Sequence, residues 1–382
     1  MRRPWWVVSN ATSIPTPGLL LYPERIAENL DRMIAWAGAP TRLRPHVKTH
    51  KLPQLVAMKR AQGIDKFKAA TIAEAEMVAH AGGADILLSS QPVNANFLRY
   101  LELLERFPET HFATLVDCPE HFYWMRQQHQ RSKTSSPLRL LLDVNVGMDR
   151  TGIRLGPEAV SLYQQLCDAA RAEAQTLEVL GLHAYDGHLH EPDGQRLRQQ
   201  AERTFAPVWD FRRRLQSERC PVPLVVASGT PTSPLLATWD ADHTAGEVEI
   251  SAGTTVLWDA GQARVCPDFD FLNAAVLLAS VISRPGPELI CLDLGHKAVA
   301  SEFPQPRVQW LGLEQAEPIR QNEEHLVLRT SRADELPVGS LLYGIPYHVC
   351  PTVAAHSHAW AVHQGRADEC WPVVARDRIL TI

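Results

Sequence analysis

Over its first two thirds the chain alternates short apolar runs with amphipathic stretches. The runs at 43–48, 67–71, 84–89, 112–117, 138–145, 177–185, 223–228 and 247–251 have the length and aliphatic content of buried strands. The stretches between them, at 53–62, 72–81, 95–106, 119–130, 157–172 and 195–218, repeat apolar residues at helical spacing. A further helix is predicted over 24–37, where Ile26, Leu30, Met33 and Ile34 share a face, after a short strand at 19–22. Eight strands with interleaved helices predict a parallel (β/α)8 barrel, closed at its eighth strand. An open doubly wound sheet is the alternative, but no G-x-G-x-x-G follows the first strand.

Near Thr254 the rhythm changes. Residues 256–258, 274–283, 288–293, 308–311, 325–328, 340–343, 371–374 and 378–382 read as strands, with proline and glycine between them and no long helical pattern. The expected organisation is an α/β barrel over 16–255 followed by a mostly antiparallel β domain over 256–382, joined by about residues 1–15. A chain of 382 residues is long enough for both. The sequence contains neither a low-complexity segment nor a short-period repeat.

Composition narrows the classes. A net charge of -5 without a basic run argues against nucleic acid as a partner. The seven cysteines are scattered, odd in number and free of C-x-x-C pairs, which reads as buried thiols in a reducing compartment. The apolar run after Met1-Arg2-Arg3 is too short for a signal segment, and no stretch reaches membrane-spanning length. A cytoplasmic chain with no membrane partner is the expectation.

The chemistry begins at Arg44-Pro45-His46-Val47-Lys48-Thr49-His50-Lys51. A K-x-x-K at a helix start is ordinarily a pair of solvated charges. Here Lys48 closes the first strand, at the end where barrel enzymes carry their catalytic groups. The wording R-P-H-x-K-T-H-K resembles the pyridoxal-phosphate lysine segment of the D-threonine aldolase and D-serine dehydratase family, whose fold is that of alanine racemase. The resemblance implies an internal aldimine at Lys48 and a barrel followed by a β domain.

Other segments extend it. The loops after the seventh and eighth strands, Ser228-Gly229-Thr230 and Gly253-Thr254, are small and hydroxyl-bearing, as a backbone cradle for phosphate requires. They are similar to the family's phosphate segments, although the first has one glycine where many relatives have two, and Thr255 stands where an aromatic residue is common. Arg150, between Gly147 and Gly152, resembles the family's arginine facing the cofactor's phenolic oxygen. Gly181-Leu182-His183-Ala184-Tyr185-Asp186-Gly187-His188 is similar to a D-threonine aldolase segment, which assigns Tyr185 to ring or substrate contact and His188 to acid–base work or support. In the β domain, an H-x-C pair is weak evidence for metal by itself, because alternate strand residues share a face. The family places a divalent metal on a histidine and, two residues on, an aspartate or cysteine, which map to His348 and Cys350. The H-x-C form is the one associated with zinc in D-serine dehydratases; magnesium or manganese is the alternative. His356 and His358 are candidate additional ligands that read more readily as surface or core histidines, and Asp293 to Lys297 is similar to a family segment without an assigned role.

The implied function is a pyridoxal-phosphate- and metal-dependent lyase acting on a small D-3-hydroxy amino acid, of D-threonine aldolase type. The alternative is a D-serine or D-3-hydroxyaspartate dehydratase, and more distantly a racemase that needs no metal. The resembling enzymes are generally dimers, so a homodimer is expected.

Overall fold

The computed structural model describes residues 4–239 and 247–382, so the first three residues assigned above to the β domain lie outside it. The chain divides into two compact units. One comprises 33–48, 53–253 and 377–382; the other comprises 1–32, 49–52 and 254–376.

The first unit is the predicted barrel. Its parallel strands Lys66–Ala69, Asp85–Leu88, His111–Val116, Leu138–Asn145, Leu177–Ala184, Leu224–Ala227 and Glu247–Ile250 pair in that order. The segment expected as the first strand over 43–48 makes only two parallel bridges, Leu43 to Ile250 and His46 to Lys68. Those bridges join the last strand to the first regular one and close the sheet. Pro45 has no N–H to donate, so the ladder breaks there; its carbonyl still accepts from Lys68 N at 3.1 Å. Lys48 accordingly sits on a 3-10 turn, Val47–Thr49, and not in a strand. Leu87, Ala113, Leu115, Leu141 and Val226 fill the barrel interior. The helices Pro53–Ala61, Pro119–Arg131 and Pro157–Ala172 open on proline, whose fixed φ and missing N–H suit the first helical turn. Thr71 and Asp193 cap their helices by accepting main-chain N–H groups.

The barrel seam carries a buried charge network. The Arg44 guanidinium bonds Glu249 at 2.5 Å and grips both oxygens of Asp85, at 2.7 and 2.9 Å. Burial opposes the Asp85 charge, but the Arg44 bonds, with Lys66, hold its carboxyl below the ordinary range. Removing the cation leaves the buried Glu249 with Lys66 alone and Asp85 without its bidentate partner, so Arg44→Ala should cost about 3–5 kcal/mol in urea unfolding. A folded-state pKa below the unfolded one adds stability above the unfolded value, which is lost as pH falls through the folded value. The native barrel should therefore lose stability below about pH 4, and the Arg44→Met variant should lose less over that range.

The second unit is a nine-stranded, largely antiparallel sheet built around the long strand Ala275–Gly286. The N-terminal strand Gly18–Leu21 pairs antiparallel with that strand and parallel with His358–His363. It thus belongs to this sheet and not to the barrel, as a boundary at residue 16 would place it. Its all-apolar sequence does not distinguish a strand covered in one sheet from one covered in the other. Leu20, Tyr22, Val276, Leu278 and Val362 share a core with the N-terminal residues Val8, Ala11 and Ile14. Two predicted strands are absent. Residues 254–256 form a 3-10 turn, and 378–382 are irregular, their carbonyls at Arg378 and Ile382 held by Arg99 at 2.9 and 2.7 Å. Two strands, Glu317–Gln321 and His358–His363, went unpredicted; the first is a polar edge strand without the apolar alternation that marks a buried one.

Candidate active site

The carboxyl ends of the barrel strands gather most of the candidate cofactor residues. The 3-10 turn sets Lys48 half-buried, with Nζ 5.9 Å from the centre of the Tyr185 ring. Arg150 Cζ lies 4.9 Å from the same centre, and Lys68 Nζ 5.3 Å. Tyr185 lies across Gly187, where a Cβ would fall 2.3 Å from the ring; only glycine permits this approach. Lys68 and His183 were not assigned from the sequence. His183 could have been found from its spacing, two residues before Tyr185 on one face of its strand, whereas nothing beside Lys68 in the sequence marks it.

Below Tyr185 a relay runs through the barrel ends. His183 Nδ1 bonds Asp143 Oδ1 at 2.7 Å, and Gln91 donates to both Asp143 and Asp117 at 2.9 Å. Burial opposes the Asp143 charge, yet His183, Thr151 and Gln91 hold its carboxyl below the usual range. Burial and then the Lys68 charge push the His183 pKa down, which keeps the ring neutral. With Nδ1 engaged by Asp143, the buried Nε2 has no hydrogen-bond partner. Such an orphan marks a place for a ligand or water.

The loop after the seventh strand is held from beneath. Asp186 accepts from Gly229 N and from Thr232 Oγ1 at 2.5 Å, and burial raises its pKa. Ser228 adopts φ 82°, in the left-handed region that strains a residue with a Cβ. The Gly229 N–H, a candidate for phosphate, is thus already engaged by Asp186, while Ser228 and Thr230 remain buried at the barrel end. Gly253 ends the barrel unit and Thr254 begins the 3-10 turn of the other. His188 is exposed, with Nε2 3.4 Å from where a Cβ on Gly147 would stand, and does not join the group around Tyr185.

Three basic groups near one aromatic ring, an orphaned imidazole nitrogen and a strained hydroxyl loop suit an anionic aromatic group. Pyridoxal phosphate fits that description.

The candidate metal ligands lie in the other unit, and not on a strand as expected. His348 is the N-cap of the helix Val349–Ala355, with Cys350 in its first turn and Pro351 next, a residue favoured at helix starts. The buried Asp259 holds this backbone, accepting from Val349 N at 2.8 Å and Gln262 N at 2.7 Å. Burial raises its carboxyl to about 6, against the pull of these bonds. Glu302 bonds His348 Nδ1, and Cys350 Sγ donates to Thr49 Oγ1 at 3.3 Å. Burial works against the His348 imidazolium, but Cys350, Glu302 and Asp259 lift its pKa to about 9. Imidazole and thiol are an apt start for zinc. Among the described residues no three or more His, Cys, Asp or Glu close around a metal position. Two donors suit an open catalytic site more than a structural one. His356 is instead buried, bonded through Nε2 to Ala298 O at 2.8 Å, and His358 is exposed beside Ser357.

Comparisons with known proteins match two stretches of the chain. Residues 22–245 match the family "Alanine racemase, N-terminal domain", and residues 274–362 match "Putative serine dehydratase domain". The chain is 26% identical to D-threonine aldolase of an Arthrobacter species over 376 residues, which cover 95% of this chain and 93% of that one. It is 25% identical to D-threo-3-hydroxyaspartate dehydratase of a Delftia species over 368 residues, covering 90% and 92%. The crystal structure of D-threonine aldolase from Filomicrobium marinum superposes with a TM-score of 0.82 at 26% identity, over 97% of this chain and 98% of that one. No helix among the described residues is long and apolar enough to cross a membrane. More than half of the chain matches the first of these families, and the chain belongs to the alanine racemase N-terminal domain family.

Proposed function

We propose that the chain is a cytoplasmic, homodimeric lyase that uses pyridoxal phosphate and a divalent metal to cleave D-3-hydroxy amino acids to glycine and an aldehyde. The observation that carries this reading is the convergence of Lys48, Lys68 and Arg150 on Tyr185 at the barrel mouth. Pyridoxal phosphate supplies an electron sink for charge developing at the substrate's Cα, and the metal a Lewis acid for its 3-hydroxyl. Lys48 presents the amine that holds the cofactor and, once displaced, moves protons at Cα. Arg150 orients the ring through its phenolic edge. The loops at 228–230 and 253–254 hold phosphate through groups other than the Gly229 N–H, which Asp186 takes. His348 and Cys350 hold the metal, with Asp259 fixing the backbone between them. Tyr185 covers the site. The relatives named as aldolases favour cleavage between Cα and Cβ.

Cys350 favours a second reading. A thiolate ligand suits zinc, and a dehydratase would use Lys48 to take the Cα proton while hydroxide leaves, giving a keto acid and ammonia.

Product analysis separates them. Chelator-sensitive acetaldehyde and glycine from D-threonine are expected. Chelator-sensitive 2-oxobutanoate and ammonia would establish the dehydratase, and metal-independent inversion at Cα a racemase. Absence of a visible cofactor band after adding pyridoxal phosphate would sink all three.

A further inference from the structure

The imidazole of His348 is engaged at Nδ1 by the Glu302 carboxylate, and Cys350 is its other hydrogen-bond neighbour. The loop that carries the acid is fixed on both sides of it. Arg307 donates from Nη2 to Ser301 O at 2.8 Å and from Nε to Phe303 O at 2.9 Å, gripping the main chain just before and just after Glu302. Its Nη1 reaches Gln321 Oε1 at 2.8 Å, on the edge strand Glu317–Gln321. At the start of the loop, Ala300 N donates to Thr352 Oγ1 at 3.1 Å, and Thr352 Oγ1 donates in turn to His348 O. Thr352 therefore ties the loop to the very residue that the acid meets. The Phe303 ring packs against the imidazole, with 5.7 Å between ring centres. An ion pair between two freely moving surface side chains is worth little. Here both partners stand on anchored backbone.

We propose that Glu302 is a positioning residue of the metal site, accepting the Nδ1–H of His348 and so reserving Nε2 for the metal. This rests on the reading of His348 and Cys350 as metal ligands. A neutral imidazole has one N–H and one lone pair, and a carboxylate only accepts. A neutral His348 bonded to Glu302 therefore carries its proton on Nδ1 and its lone pair on Nε2. The same contact fixes the plane of the ring and makes the free nitrogen a stronger donor. Glu302 is not counted as a further ligand, because among the described residues no three His, Cys, Asp or Glu close around one metal position. The second donor is supported in a similar way, with Cys350 Sγ held on Thr49 Oγ1 at 3.3 Å. Glu302 thus acts through His348 and takes no part in bond breaking.

The alternative role is a fastening of the loop at 300–307 to the helix Val349–Ala355, without bearing on the metal. Zinc affinity, read by competition with a chromophoric chelator, and the thermal melt of the metal-free protein distinguish the two. Glu302→Ala should weaken zinc by about 10–100-fold and leave the melt nearly unchanged. Glu302→Gln, whose amide oxygen still accepts the Nδ1–H, should recover most of the affinity. A lower melt with unchanged zinc affinity would establish the fastening role and overturn the proposal. Equal loss in Glu302→Gln and Glu302→Ala would overturn the tautomer role. The zinc-loaded wild-type protein with 15N-labelled histidine provides a test that needs no change at Glu302, the His348 signals being assigned by their absence from His348→Ala. Nδ1 should carry the proton and Nε2 the metal, and the reverse would overturn the proposal. A wild-type protein that takes up no zinc fails the metal reading itself, and is told apart because the failure precedes any substitution.

Discussion

Replacing Lys48 by alanine should abolish the visible absorbance of protein supplied with pyridoxal phosphate, and lower turnover by roughly 10^3-fold or more. The expectation follows from how the amine is presented. The 3-10 turn Val47–Thr49 sets Lys48 half-buried, facing the Tyr185 ring. Lys68 does not substitute, because it is fully buried and bonded to Ser251. Lys48→Arg, which keeps the charge but not the nucleophile, should be as inactive as the alanine variant. Thermal melting should change little in either, since the barrel seam is held by Arg44, Asp85 and Glu249 and not by Lys48. A visible band retained in Lys48→Ala would move the cofactor to another amine.

The second large effect concerns the metal. Cys350→Ala and His348→Ala should each weaken divalent metal binding by roughly 10^2-fold or more, and chelator should reproduce their loss of activity in the native protein. The local backbone should survive both changes. Asp259 holds Val349 N, and Thr352 Oγ1 donates to His348 O at 2.7 Å, so neither support depends on the lost side chain. Cys350→Asp should recover part of the binding, because a carboxylate can take the thiolate's place with a harder metal. Metal content by mass spectrometry against dialysed variants reads this directly. Full activity of the variants in chelator would remove the metal from the mechanism.

Much of the site was readable in the chain because local chemistry marked it. Lys48, Arg150 and Tyr185 sit in segments whose wording is distinctive, and the structure brings all three together at one ring. Lys68 was not readable. In Lys66-Phe67-Lys68-Ala69 the alternation reads both lysines as the wet face of a strand. Lys66 is partly exposed and pairs with Glu247 and Glu249, whereas Lys68 is buried at the barrel mouth against Ser251. Asp186 and Asp259 were silent for a related reason. A carboxylate that accepts main-chain N–H groups from a distant loop leaves no spacing in the sequence.

The sequence by itself determined the alternation of strands and helices, and with it the barrel, because periodic burial is a local property of each segment. It also determined which residue types were available for a lysine-bound cofactor and a thiolate metal ligand. Only the tertiary structure decided that the strand Gly18–Leu21 belongs to the β sheet and that His348 caps a helix. It alone decided that Lys68 is a buried amine of the barrel mouth. Those outcomes depend on which surfaces meet, and pairing between residues far apart in the chain is not written in either partner's neighbourhood.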